Sequence, residues 1–162
     1  MTGLAATGAH ALVGQVVAGP LRAEITAKES QRYAQAVGDL DPVYFDEEAA
    51  RAAGHRTLVC PPTFVEHAVV VGRSLDELRV DGLFQADDGP DLGLGRVMFA
   101  GQEWDWLAPV HVGDTITAEQ RLVGVEEKSG SKGPFVLVTW EWTYTDQDGV
   151  VVARARQQGI SR

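Results

Sequence analysis

At 162 residues, 44% apolar and 23% charged, the chain has the size and balance of one globular domain with room for a real core. A formal net charge of −9 excludes a dominant basic surface of the kind nucleic acid or anionic membrane requires, though it leaves local basic spots open. Cys60, the one cysteine, excludes an internal disulfide framework, and with neither a basic n-region nor an apolar h-region at the start a cytoplasmic location is expected.

Residues 1 to 11 are small and aperiodic and are expected to be disordered. Residues 13 to 17 can pair as a short strand. Thr26-Ala-Lys-Glu29 reads as a capping box that opens a helix, with Tyr33 and Val37 on one face and Gly38 as its stop. A second short helix is signalled by Asp46 as N-cap, by Glu47 and Glu48 in its first turn, and by Gly54 after its end.

The most apolar segment follows. Pro61 and Pro62 suit a helix start, because proline gives up only an N–H that has no intrahelical partner there. From Pro61 to about Gly72 a central helix is predicted. Phe64, Val65, Ala68, Val69 and Val71 wrap most of its circumference, which predicts burial nearly all round. Residues 74 to 96 are polar and turn-rich, as in a lid or binding loop. Four strands are predicted at 97 to 107, 115 to 123, 135 to 144 and 150 to 158. The third places Val136, Val138, Trp140, Trp142 and Tyr144 on one face at period two.

Chemistry concentrates between the first two helices, in Gly38-Asp-Leu-Asp-Pro-Val-Tyr44. The residues alone also admit a plain helix exit followed by an Asx turn at Asp41-Pro42. Elsewhere, Cys60 reads as a small buried apolar residue, His55 and His111 as solvated loop residues, and His67 as a satisfied core histidine. Glu66, on the central helix, is an alternative catalytic acid or base, as is His67. Arg51 and Arg56 flank the motif and could meet the phosphates of a carrier. Nothing groups the cysteine and histidines at metal-ligand spacing.

The stretch from Tyr33 to Ala50, with its Gly-Asp-Leu-Asp-Pro-Val-Tyr core, resembles the Gly-Asp-x-Asn-Pro-x-His signature of the MaoC-like hot-dog hydratases and dehydratases. Leu58-Val-Cys-Pro-Pro-Thr-Phe64 resembles the start of the central helix in their N-terminal subfamily. Gly101-Gln-Glu-Trp-Asp-Trp-Leu-Ala-Pro-Val-His-Val-Gly-Asp114 resembles a strand and turn of theirs. The resemblance implies an α+β hot-dog fold, one domain over 1 to 162, with an antiparallel sheet of five or more strands wrapped around a buried helix.

It also implies an (R)-specific enoyl-thioester hydratase or 3-hydroxyacyl-thioester dehydratase, or a subunit of one. The substrate would ride on coenzyme A or an acyl carrier protein, with no further cofactor. Carried over by position, the catalytic residues are Asp39 and Tyr44, the latter where the family has histidine, and the substrate-binding residues are Asp41, Thr63, Arg51 and Arg56. A phenol is a poor base near neutrality, and two prolines displace the first backbone donor of the helix to Thr63. The expected arrangement is therefore a homodimer or a heterodimer with a second hot-dog. Hydration by the chain itself, a thioesterase using Glu66 and a non-enzymatic acyl-binding subunit are the alternatives.

Overall fold

A computed structural model describes residues 7–71, 76, 97–131 and 133–161. Its core is a five-stranded antiparallel sheet in the order β1-β3-β4-β5-β2, built from β1 (Val16–Glu24), β2 (Val97–Trp106), β3 (Thr115–Gly130), β4 (Gly133–Thr145) and β5 (Val151–Ser161). The helices are α1 (Thr7–His10), α2 (Ala27–Val37), α3 (Glu47–Ala52) and α4 (Phe64–Glu66), with a 3-10 turn at Pro42–Tyr44 between α2 and α3.

The concave face of the sheet is set by period-two alternation. On β4, Val136, Val138, Trp142 and Tyr144 are buried and Trp140 is half-buried. Ala155 on β5 pairs between Trp142 and Trp104, and Ala153 pairs between Tyr144 and Trp106. These small residues let large rings from the outer strands close over the middle one. Trp104 stacks on Trp106 with ring centroids 4.4 Å apart, and lies 5.5 Å from Tyr144. Phe64, Val65 and Val69 of the central segment pack into this face with Ile25, Ile116 and Val152.

Several sequence expectations are refined. The Thr26 hydroxyl accepts the Glu29 N–H and donates to the Glu29 carboxylate at 2.7 Å, so the box closes on the hydroxyl. Gly38 ends α2 at φ 76°, the left-handed conformation that glycine adopts without strain. Val37, expected on the same face as Tyr33, is 56% exposed, whereas Tyr33 is half-buried. Asp46 caps α3 as expected, accepting from the Glu48 and Ala49 N–H groups.

The central helix departs most from expectation. Only Phe64–Glu66 is regular α-helix, and His67–Val71 continues as a wider π-type turn. It is not buried all round: Phe64, Val65 and Val69 face the sheet, whereas Thr63 and His67 are exposed. Polar side chains at those two positions give the segment a wet side. Gly72, the expected stop, and the stretch at 74 to 96, expected to be a lid or binding loop, lie outside the described residues apart from Asp76.

Within the first eleven residues, Thr7–His10 forms the short helix α1. Ala9 of α1 is fully buried with Leu122, Val125, Val136 and Val138, covering the end of the sheet that the central segment does not reach. The first strand runs over Val16–Glu24 rather than 13 to 17, with irregular register between Val16 and Leu21. Pro20 cannot donate to a ladder, and an edge strand is where such a residue is tolerated. Among the described residues no helix is long and apolar enough to cross a membrane.

Candidate functional site

The segment from Gly38 to Tyr44 is folded back on itself by local hydrogen bonds. Asp39 donates its N–H to the Ala34 carbonyl, extending the end of α2. Asp41 accepts from the Val43 N–H at 3.1 Å and so caps the Pro42–Tyr44 turn. Gln31 of α2 donates to the Tyr44 carbonyl. Five residues apart and bent by Pro42, the Tyr44 hydroxyl donates to Asp39 Oδ2 at 3.1 Å. Burial, then the hydrogen bond to Asp39 and the charges of Asp39 and Asp41, push the Tyr44 phenol up to about 12. Tyr44 is therefore a proton donor at neutral pH, and Asp39 is the acceptor it serves.

Tyr44 forms part of the wall of a largely apolar groove of about 410 Å³. The groove is also lined by Val59, Cys60 and Pro62 before the central segment, by Trp106 at the end of β2 with Leu107 and Pro109 after it, and by His55. Cys60 is buried, as expected for a small apolar residue, and burial followed by the charge of Asp114 pushes its thiol up to about 12. Thr63, which follows the lining residue Pro62 but is not itself part of the lining, has its hydroxyl 2.9 Å from the Tyr33 hydroxyl. The Phe64 N–H behind it is taken by the Pro61 carbonyl.

A second polar centre forms behind the groove. The Asp114 carboxylate, in a residue 2% exposed, accepts from the His111 N–H at 2.8 Å, from Gln147 at 3.0 Å and from Arg56. Burial raises the Asp114 carboxyl, but these donors and the Arg56 charge outweigh it and hold the group below its ordinary range. Arg56, considered for a carrier phosphate, is thus the partner of a buried acid, and Arg51 pairs with Glu47 one helical turn away. His111, expected to be a solvated loop residue, is 9% exposed. His55 is half-buried, with its ring edge-on to that of His111 at 5.6 Å between centroids.

Glu66 faces the sheet. Its Oε1 accepts from Gln102 at 3.1 Å and Gln157 at 2.7 Å, two residues paired across β2 and β5. Burial raises the Glu66 carboxyl, opposed by these two donors. The hydroxyl of Tyr144, fully buried, has no hydrogen-bond partner. His67 is exposed, not a core residue, and its ring lies 5.4 Å from that of Tyr33 and 6.0 Å from that of Phe64.

The structure thus brings Tyr44 and His55 to one groove, with Asp39 joined to it through the Tyr44 hydroxyl, and leaves Asp39, Asp41, Thr63, Arg51, Arg56, Glu66 and His67 outside the set of side chains that line it. Asp114, Gln102, Gln147 and Gln157 were not singled out from the sequence. Asp114 carried a signal, a carboxylate closing the Gly113 turn; the three glutamines carried none, because Gln102 and Gln157 meet at Glu66, and Gln147 meets Asp114, only once the strands pair.

Residues 11–155 match the family described as FAS1-like, dehydratase domain region. The chain is 31% identical over 141 residues to a UPF0336 protein of Streptomyces griseus, covering 86% of this chain and 85% of that protein. It is 29% identical over 157 residues to a probable enoyl-CoA hydratase alpha subunit of Thermomonospora curvata, covering 91% of this chain and 48% of that one. The HadBC (3R-hydroxyacyl-ACP dehydratase) complex of Mycobacterium tuberculosis contains a chain that superposes with a TM-score of 0.70 at 24% identity, over 92% of this chain and 96% of that one. That likeness shows the shared fold, and the family match shows the lineage: the chain belongs to the FAS1-like dehydratase group of the MaoC-like hot-dog hydratases and dehydratases.

Proposed function

We propose that this chain is a subunit of an (R)-specific enoyl-thioester hydratase or 3-hydroxyacyl-thioester dehydratase, completed by a second MaoC-like hot-dog that carries an Asp and His pair. The observation that carries the reading is the Tyr44 to Asp39 hydrogen bond on the wall of the groove. The acid is in place, but its partner is a phenol held protonated, so the pair can orient a water or carbonyl and is weak at taking a proton and returning it. The substrate is an acyl thioester of coenzyme A or an acyl carrier protein. The apolar groove accommodates the acyl part, and no cofactor is needed.

A partner also suits the edge of the sheet. β2 is the last strand, and Met98, Phe99, Trp106 and the adjoining Leu107 are exposed along it, Phe99 by 72%. An unpaired apolar edge is a liability that a second sheet relieves. The HadBC structure is itself a complex of two subunits.

The test is crotonyl-CoA hydration by the purified chain, with and without a co-expressed MaoC-like hot-dog having an intact Asp and His. Low turnover by the chain itself and brisk turnover by the pair are expected. Tyr44→His should raise the chain's own rate, on the scale of the about 10²–10⁴-fold that a positioned acid or base contributes, and Asp39→Asn should abolish that gain. Brisk turnover by the wild-type chain itself, lost in Asp39→Asn, would instead establish a self-sufficient hydratase working through Asp39 and Tyr44.

A further inference from the structure

Hydration of an enoyl thioester requires a group that takes a proton from water and gives one back near neutral pH. Three titratable side chains line the groove: Tyr44, Cys60 and His55. Burial, aided by Asp39, holds Tyr44 protonated, and burial does the same for Cys60. The remaining one is an imidazole, the side chain suited to both halves of the transfer.

We infer that His55 is the acid/base residue through which this chain's own turnover passes, held in place by the buried His111 and Asp114 behind it. The inference rests on the hydratase reading above and names the residue that does its chemistry on this subunit. Three observations support it besides the shared groove. Gly54, at φ 91°, turns the chain out of α3, and the His55 N–H is anchored to the Ala50 carbonyl at 2.9 Å. The His111 ring packs edge-on to His55, and its Nε2 is buried with no hydrogen-bond partner.

The third is the Asp114 carboxylate, 3.7 Å from His111 Nδ1, whose negative charge favours the proton on that nitrogen. Nε2 is then a bare acceptor against the neighbouring ring, able to take the N–H of His55 and leave the other His55 nitrogen for the groove. Burial and then the Arg56 charge keep the His111 value low, so His111 stays neutral and serves as that acceptor. The ionisable groups around His55 are thus His111, Arg56, Asp114, Tyr44 and Cys60.

The step balances without a co-reactant. Water loses an O–H bond as its oxygen bonds to C3 of the enoyl group, and its proton passes to the His55 imidazole. The imidazolium then returns a proton to C2, so the double bond is consumed, the thioester is kept and the imidazole is regenerated. His111 is a positioning residue that touches neither water nor substrate.

The experiment follows the four histidine rings of the isotopically labelled full chain by NMR, assigned with single His→Gln variants, while saturated butyryl-CoA is added as an unreactive probe. Crotonyl-CoA hydration is measured above the protein-free rate in parallel. Expected results are a butyryl-CoA-dependent shift of the His55 ring and loss, in His55→Gln, of the chain's low turnover above the protein-free rate. In His111→Gln, kcat should fall with KM unchanged, and the ring nitrogen shifts of His55 should show a mixed tautomer, a change that loss of packing would not produce by itself. Butyryl-CoA binding that moves other signals but not that of His55 overturns the inference and leaves the hydratase reading standing. So does a His55→Gln variant within twofold of wild type. A His55 shift with no turnover above background overturns the catalytic role. No effect of butyryl-CoA on any signal, in the chain or in its complex with a hot-dog partner, sinks the groove as a thioester site and the hydratase reading with it.

Discussion

Glu66, an alternative catalytic acid in the sequence, is held between two strands by a pair of glutamine side chains. Both of its donors, Gln102 and Gln157, point at Oε1, so the isosteric amide of Glu66→Gln can accept the same two bonds. Burial raises the folded-state value of the acid. A carboxyl raised in the folded state contributes stability that is present below its ordinary value of 4.5 and is lost as pH rises through the folded value. Glu66→Gln should therefore be the more stable protein in urea denaturation at pH 8, with the difference closing as pH falls toward 4. It should leave crotonyl-CoA hydration unchanged and release no less free thiol from an acyl-CoA than wild type. Loss of thiol release in this variant would revive the thioesterase alternative.

At the scale of elements, β2 has two jobs. Inward, Gln102, Trp104 and Trp106 line the concave face; at its two ends, Met98, Phe99 and Trp106 remain exposed at the edge of the sheet. An edge strand ten residues long that carries apolar side chains invites another strand, and a lysine placed there is a known deterrent. Phe99→Lys should leave the fold intact, because a residue 72% exposed contributes little to the core. It should shift the species seen by size-exclusion chromatography with light scattering from dimer toward monomer. An unchanged dimer would place the partner surface elsewhere.

Across the whole molecule, Asp114 is the knot. It joins the segment after α3 through Arg56, the turn before β3 through His111, and the turn between β4 and β5 through Gln147. Its depressed value means stability that is complete above its ordinary 3.8 and lost as pH falls through the lower folded value. His111, also depressed, contributes stability that is complete above 6.5 and lost as the folded imidazole is forced to charge. Melting temperature should thus fall between pH 7.5 and 5.5, and fall again well below pH 4. His111→Gln should flatten the first decline while keeping the second. Asp114→Asn should cost about 1.5–3 kcal/mol at neutral pH, the worth of a hydrogen bond to a charged group, measured by chemical denaturation. An identical upper decline in His111→Gln would assign it to another group.

What the sequence by itself determined is what short-range chemistry encodes. The Thr26 cap and the Gly38 stop, the Asp46 cap and the buried face of β4 were legible because each depends on residues three or four apart or on period-two alternation. The crowding of Asp39 against Tyr44 belongs here too, since Pro42 bends five residues into one turn. Tertiary structure decided the rest. The extent of β1 depends on pairing with β3 across its irregular register. The exposure of Val37 and His67, and the burial of His111, depend on which neighbours arrive from distant segments. Arg56 and Asp114 stand 58 residues apart, so no local pattern announces their pairing. The placing of His55 on the same groove as Tyr44 likewise follows from strands and loops meeting in space: an isolated histidine has no periodicity to betray its role.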